Sequence, residues 1–303
     1  MQAADEIVRA RARAAFLRAC RLDVETAKPG NVSVESAGHG MTSTQFIESA
    51  TAAANALFNR GAAIGPRIFD AVTLTRARVA CNTNLGIVLL VAPLAAALES
   101  TPAPHDAAHA AAWQRATEAA LAALDIDDAR AAYRAIALAN PGGLGDAPEQ
   151  PVHAEPTVSL REAMTLAAAR DSIARQYAEG FRDVFEIRAA AAREWPRETP
   201  ASVVTLDVYL TCLSRWPDSH IVRKHGETVA QSVTREAQRQ HAQWRIAREE
   251  TRGAEDGIAA NALARWDAEL KARGINPGTS ADLTVATLFV AGVLDDAGPA
   301  TGT

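Results

Sequence analysis

Apolar residues recur along most of this chain at a spacing of three to four. From Asp5 to Val24, the residues Ile7, Ala10, Ala14, Leu17 and Leu22 fall near one face at helical spacing, which predicts an amphipathic helix ending just before Glu25. Thr42-Ser43-Thr44-Gln45 has the spacing of a capping box. It precedes a stripe through Phe46, Ala50, Ala54, Leu57 and Phe58, with Gly61 as the stop. Ser159-Leu160-Arg161-Glu162 repeats the device before one long amphipathic run through Ala163, Ala167, Ala174, Tyr177, Phe181 and Val184. Proline and glycine cluster at 99–104, 141–156 and 195–200, which read as loops between helical groups. Alternating β-branched runs are few and there is no fixed-period repeat. Alanine, the best helix former, allows close approach of helices wherever it recurs on their faces. The predicted fold is all-α, a single multi-helix domain over residues 1–295, followed by a frayed tail at 296–303.

Composition narrows the class. A chain of 303 residues is long enough for one large core, and 31 basic against 36 acidic residues give a net charge of −5. That balance offers no broad attraction to nucleic acid or to an anionic membrane, so any phosphate binding must be local. The amino terminus carries interspersed charges in place of a secretory apolar segment. The longest apolar run, Ile87 to Leu98, is broken by Pro93 and falls short of the ~20 residues that span a bilayer. Cys20, Cys81 and Cys212 are odd in number and lie in apolar surroundings, which fits thiols in a reducing compartment. A cytoplasmic enzyme acting on small molecules is the expectation, and nothing here argues against a homo-oligomer.

Several polar runs interrupt the helical pattern without a packing reason. Glu25-Thr26-Ala27-Lys28-Pro29-Gly30-Asn31 follows the first helix. Pro29 disfavours helix at Lys28 and Gly30 supplies a turn, so Lys28 is expected to project from a rigid exit loop about one turn from Glu25. A lysine favouring the helix dipole and a glycine stop would account for the same residues. Cys81-Asn82-Thr83-Asn84-Leu85-Gly86 is a second such run. Asp171 falls on the inward side of the long predicted helix, four residues before Arg175, where an ion pair or a functional carboxylate would each explain it. Asp218-Ser219-His220 through Arg223-Lys224 gathers an acid, a hydroxyl, an imidazole and two cations after the Trp216-Pro217 break. Arg223 and Lys224 suit oxyanions, although a solvated charged face is the ordinary reading. Asn276-Pro277-Gly278-Thr279-Ser280-Ala281-Asp282 reads as a turn feeding a helix, with Thr279 or Ser280 as cap and Asp282 in the first turn. Capping alone explains it, and exposed amides at a helix start would also bind an anion. Pro141-Gly142-Gly143-Leu144-Gly145 is a flexible loop or a phosphate-approaching one, and lacks the Gly-Lys-Ser/Thr ending of a P-loop.

These runs occur in one order. Glu25-x-x-x-Lys28-Pro29-Gly30, Gly38-His39-Gly40-Met41, a helix containing Ser49, Asn82-Thr83-Asn84-x-Gly86, Asp218-Ser219-His220-x-x-Arg223-Lys224-x-Gly226 and Asn276-Pro277-Gly278-Thr279-Ser280-Ala281-Asp282 resemble the triphosphoribosyl-dephospho-CoA synthase family over nearly the whole chain. The resemblance implies an all-helical pentosyltransferase that moves the ribosyl triphosphate of ATP to a hydroxyl of dephospho-CoA with release of adenine. Glu25, Asp171 and Asp282 are then the candidates to stabilise an oxocarbenium-like centre and to take the acceptor proton. Lys28, Asn82, Thr83, Asn84, Ser219, His220, Arg223 and Lys224 are the candidates to hold the nucleotide, with Mg²⁺ held by Asp171 and Asp218. A single ribosyl donor must touch both sets at once, so all of them are expected around one pocket. One departure stands out: the well-studied members carry Asn-Thr-His-Lys-Gly where this chain has Asn82-Thr83-Asn84-Leu85-Gly86. The Asn-Leu form looks like a branch associated with tetrahydromethanopterin users, in which phosphoribosyl diphosphate would be the donor and a pterin precursor the acceptor. A nucleotide-binding protein without turnover is the remaining alternative.

Overall fold

The computed structural model describes residues 2–34, 42–101, 107–140, 154–250 and 257–295. The motifs at Gly38–Met41 and Pro141–Gly145 and the tail at 296–303 lie outside them. The described residues form fourteen α-helices and no strand, so the expected fold class holds. They are α1 (Gln2–Glu25), α2 (Ser43–Leu57), α3 (Ile64–Val79), α4 (Leu85–Leu98), α5 (Ala107–Ala122), α6 (Ile126–Ala139), α7 (Leu160–Ala167), α8 (Ser172–Ala178), α9 (Arg182–Glu194), α10 (Ala201–Arg215), α11 (Ser219–His225), α12 (Glu227–Glu250), α13 (Gly257–Ala272) and α14 (Gly278–Asp295). None of the described helices is long and apolar enough to cross a membrane.

Both predicted capping boxes are present. Thr42 accepts from the Gln45 backbone N–H and Ser159 from that of Glu162, and in each case the Gln or Glu side chain reaches back to the cap. The long run expected after Ser159 is three helices. It breaks because Asp171 folds its carboxylate onto the N–H groups of Ile173 (2.9 Å) and Ala174 (3.1 Å), which starts α8 at Ser172. The apolar stripe continues across the break, so periodicity alone does not reveal it. Arg175 pairs with Asp183 at 3.1 Å, not with Asp171.

α14 organises the packing. It is buried around most of its circumference and contacts α1, α4, α8, α9, α10 and α11. Phe289 stands at its centre, with the rings of Phe58 and Trp113 at 5.9 and 5.7 Å, and its burial contributes about 2–3 kcal/mol. A smaller cluster around Tyr209, Ile221, Trp244 and Trp266 joins α10 through α13 and reaches Ala281 on α14. Cys20 and Cys212 are buried free thiols; Cys81 is half-buried.

Pro93 sits inside α4. It has no N–H to give the carbonyl of Leu89 one turn earlier, and an unpaired carbonyl in this core would be costly. The hydroxyl of Tyr177, on α8, donates to that oxygen at 2.7 Å, which fastens α8 to α4. Tyr177→Phe should therefore lower stability by about 1–3 kcal/mol in urea unfolding, without a change in far-UV dichroism. An unchanged midpoint would contradict this.

Asp207 ties α10 to α12 and to the α9–α10 loop. It accepts from Trp195 Nε1 (3.0 Å), His241 Nε2 (2.7 Å) and Arg245 Nε and Nη2 (2.8 and 2.9 Å). Burial pushes its pKa up, but these donors outweigh burial and hold it at about 2. Because the folded pKa is depressed, the stabilisation is complete above the unfolded value near ~4 and is lost as pH falls toward about 2. Asp207→Asn should remove that part of the acid-unfolding slope. A variant with the wild-type slope between those values would show that Asp207 carries none of it.

Candidate functional site

The loop after α1 is a tight turn. The Asn31 N–H donates to the Lys28 carbonyl at 3.0 Å, with Pro29 and Gly30 at its corners and Gly30 at φ +79°, a combination that fits a type II turn. A side chain at Gly30 would also run into Pro277 and the Ile275 carbonyl. The turn is docked by Gly30 N–H to Asp267 (2.8 Å), Asn31 to Asn276 (3.0 Å) and the Tyr209 hydroxyl to the Pro29 carbonyl (2.7 Å). The Lys-Pro-Gly and Asn-Pro-Gly motifs are thus neighbours, brought together across the length of the chain.

Lys28 points inward, contrary to the expectation of an exposed loop lysine. It is 2% exposed, its Nζ lies 3.2 Å from Asp23 Oδ1 and donates to the Asp23 and Thr26 carbonyls, and it sits 5.9 Å over the Tyr209 ring. Burial lowers the Lys28 pKa and raises that of Asp23, and the attraction between them works against both shifts. Asp23 was not singled out from the sequence, although it continues the buried stripe of Phe16, Ala19 and Cys20 on α1. Glu25, one turn from Lys28, is exposed.

The starts of α11 and α14 clasp each other. Asp218 Oδ1 accepts from the backbone of His220 (2.9 Å) and Ile221 (3.1 Å), and Oδ2 from Ser280 N (2.7 Å) and Oγ (2.8 Å). Thr279 returns the exchange by accepting from His220 N–H at 3.2 Å. Burial raises the Asp218 pKa against these bonds. Ser219 Oγ accepts from Ser172 N–H at 2.8 Å, and Arg223 donates to Asp171 Oδ2 at 2.7 Å, so the start of α8 is held to the same junction. The oxygens of Asp171 and Asp218 are therefore spent on caps, clasp and Arg223. Neither is presented as a metal ligand in the way expected, and no cluster of three or more His, Cys, Asp or Glu with metal-site geometry occurs among the described residues. Lys224, next to Arg223 on α11, is exposed.

The start of α4 completes the junction. Asn82 Oδ1 accepts from Leu85 N–H (3.2 Å), Thr83 bonds the Ser49 hydroxyl on α2, and Asn84 is buried. A Cβ at Gly86 would overlap the Asp282 carboxylate and crowd Ile173, so glycine is required for α4, α8 and α14 to approach this closely. Asp282 lies beyond the first turn of α14 and makes no cap; the Asp218 carboxylate does that work from another helix. Its side chain is partly open, and the described residues give it no hydrogen bond or ion pair. Burial, then the negative charges of Asp23, Asp218 and Asp171, raise its pKa well above the ordinary range, and Arg223 only partly offsets them.

The chain matches the sequence profile of CitG, ATP:dephospho-CoA triphosphoribosyl transferase, over residues 9–299. It belongs to this family. A solved structure of a candidate triphosphoribosyl-dephospho-CoA synthase from Archaeoglobus fulgidus is similar, with 25% identity and a TM-score of 0.60 over 81% of this chain and 97% of that one. No match was found among curated proteins. The family is one of enzymes. Of the residues singled out from the sequence, Asn82, Thr83, Asn84, Asp171, Asp218, Ser219, His220, Arg223 and Asp282 lie at or near the starts of α4, α8, α11 and α14, Lys28 lies in the turn after α1, and Glu25 and Lys224 face solvent.

The Lys28–Asp23 pair yields a prediction opposite to that for a surface lysine. Lys28→Met strands a buried carboxylate and should destabilise by about 3–5 kcal/mol, while the double variant Lys28→Met/Asp23→Asn should recover much of the loss. Denaturant titration measures both. A single variant as stable as wild type would show that Lys28 is not held as described.

Proposed function

We propose that the chain is a triphosphoribosyl transferase in which Asp282 acts at the reacting centre, on a ribosyl group supplied by ATP. The observation that supports this is the Asp282 carboxylate: partly open, given no hydrogen bond or ion pair by the described residues, and raised in pKa by burial and its neighbours, while Asp171 and Asp218 beside it accept from helix starts, Ser280 and Arg223. An enzyme leaves such a group unpaired at a cost to the fold when substrate is to complete it.

The chemistry runs as a displacement at the anomeric carbon. The bond from that carbon to adenine breaks, with its electron pair leaving on the base. The acceptor hydroxyl of dephospho-CoA forms the new bond and passes its proton to Asp282. A raised pKa makes Asp282 a stronger base than an ordinary carboxylate, and its negative charge stabilises the positive charge that develops on the ribosyl ring. The proton finally leaves with adenine. Four aspartates here face two cations, Lys28 and Arg223, and both cations are already paired. A triphosphate entering this field would be repelled unless Mg²⁺ on its phosphates neutralised part of its charge.

A second reading has its own support. Asn84 and Leu85 place no cation at the start of α4, where the family carries His-Lys, which suits a donor other than ATP. The products separate the two. With ATP, Mg²⁺ and dephospho-CoA, chromatography should detect free adenine; pyrophosphate released from phosphoribosyl diphosphate with a pterin precursor, and no adenine, would move the assignment to that reaction.

Asp282→Asn should reduce turnover by about 10²-fold or more, as loss of a general base does, yet melt no earlier than wild type because it removes charge repulsion. Turnover within a few fold of wild type would remove Asp282 from the reaction.

A further inference from the structure

We infer that Asn84, with Asp282, reads the 2-hydroxyl of the ribosyl donor and so selects ribonucleotides over 2′-deoxyribonucleotides; this rests on the ribosyl-transfer reading above. Asn84 occupies the cap position of α4, where an asparagine ordinarily folds back onto the first backbone N–H groups. It does not do so. Asn82 takes the Leu85 N–H in its place, at 3.2 Å, and Asn84 makes no side-chain cap bond. The Asn84 side chain is nonetheless 4% exposed, and its Nδ2 is buried with no hydrogen-bond partner. A buried amide donor left unpaired destabilises the free protein, so a position relieved of its capping role and kept polar points to a partner that arrives from outside.

The neighbourhood fixes the chemistry of that partner. Two residues along, Gly86 rests against the Asp282 carboxylate, so an acid and an unpaired amide donor lie at the same helix start. A phosphate oxygen would accept from the amide but meet the carboxylate's charge. A hydroxyl accepts from Asn84 and donates to Asp282, satisfying both. With Asp282 acting at the anomeric carbon, the hydroxyl within reach is the one on the adjacent ring carbon.

Calorimetric titration of the full-length protein with Mg²⁺-ATP and with Mg²⁺-2′-deoxy-ATP, in the absence of acceptor, tests this. Wild type should bind ATP about tenfold or more tightly than the deoxy compound, the loss expected when buried polar groups go unmatched. In Asn84→Ala and Asn84→Leu the ratio should fall to near one through weaker ATP binding, and neither variant should melt earlier than wild type when free. Equal wild-type affinities, a ratio retained in the variants, or early melting of both variants would overturn the inference, the last by showing that the amide is bonded within the protein. Wild type that binds neither nucleotide would instead overturn the ATP reading itself, and this inference with it.

Discussion

Asp218 caps two helices at once, and the arrangement of the site depends on that carboxylate. Its four hydrogen bonds fix the start of α11 against the start of α14, and Thr279 and Ser219 extend the clasp to His220 and to the start of α8. Helix starts leave backbone N–H groups without partners, and a buried junction of three of them needs shared acceptors. Aspartates supply these. The same choice loads the junction with negative charge, which the apolar packing of α14 and the glycine at position 86 force close to Asp282.

That crowding sets stability against function. Lys28 neutralises Asp23 in a buried pair, and Arg223 neutralises Asp171 in a half-buried one. Asp282 is left over. Its raised pKa comes first from burial and then from the neighbouring carboxylates, which Arg223 only partly offsets, and it gives a carboxyl group able to exchange a proton nearer neutral pH than an isolated aspartate would. The unpartnered amide of Asn84, at the head of α4, is a second unsatisfied group of the same junction.

Much of this was legible in the chain. The all-α class followed from apolar spacing and both capping boxes from four-residue patterns. Side-chain direction was not legible. Lys28 reads as a loop lysine because Pro29 and Gly30 make the turn, yet the turn docks on Asn276 and aims the ammonium at Asp23. Glu25 and Lys224 belong to the motifs by sequence and face solvent, since each is adjacent to the residue that turns inward. The break at Asp171 was hidden because a cap and a helical interior residue look alike when the apolar stripe continues on both sides. Its pairing with Arg223 is a contact across 52 positions that no local pattern encodes.

The central claim is that burial and the neighbouring carboxylates raise the pKa of one aspartate, Asp282, well above the ordinary carboxylate range. Carbon-13 NMR titration of aspartate-labelled protein measures this directly. The account predicts one side-chain carboxyl resonance titrating well above ~3.9 that is absent from Asp282→Asn and moves down when Asp23 is replaced by asparagine together with Lys28→Met. A spectrum in which the Asp282 resonance titrates at or below that ordinary value would contradict it.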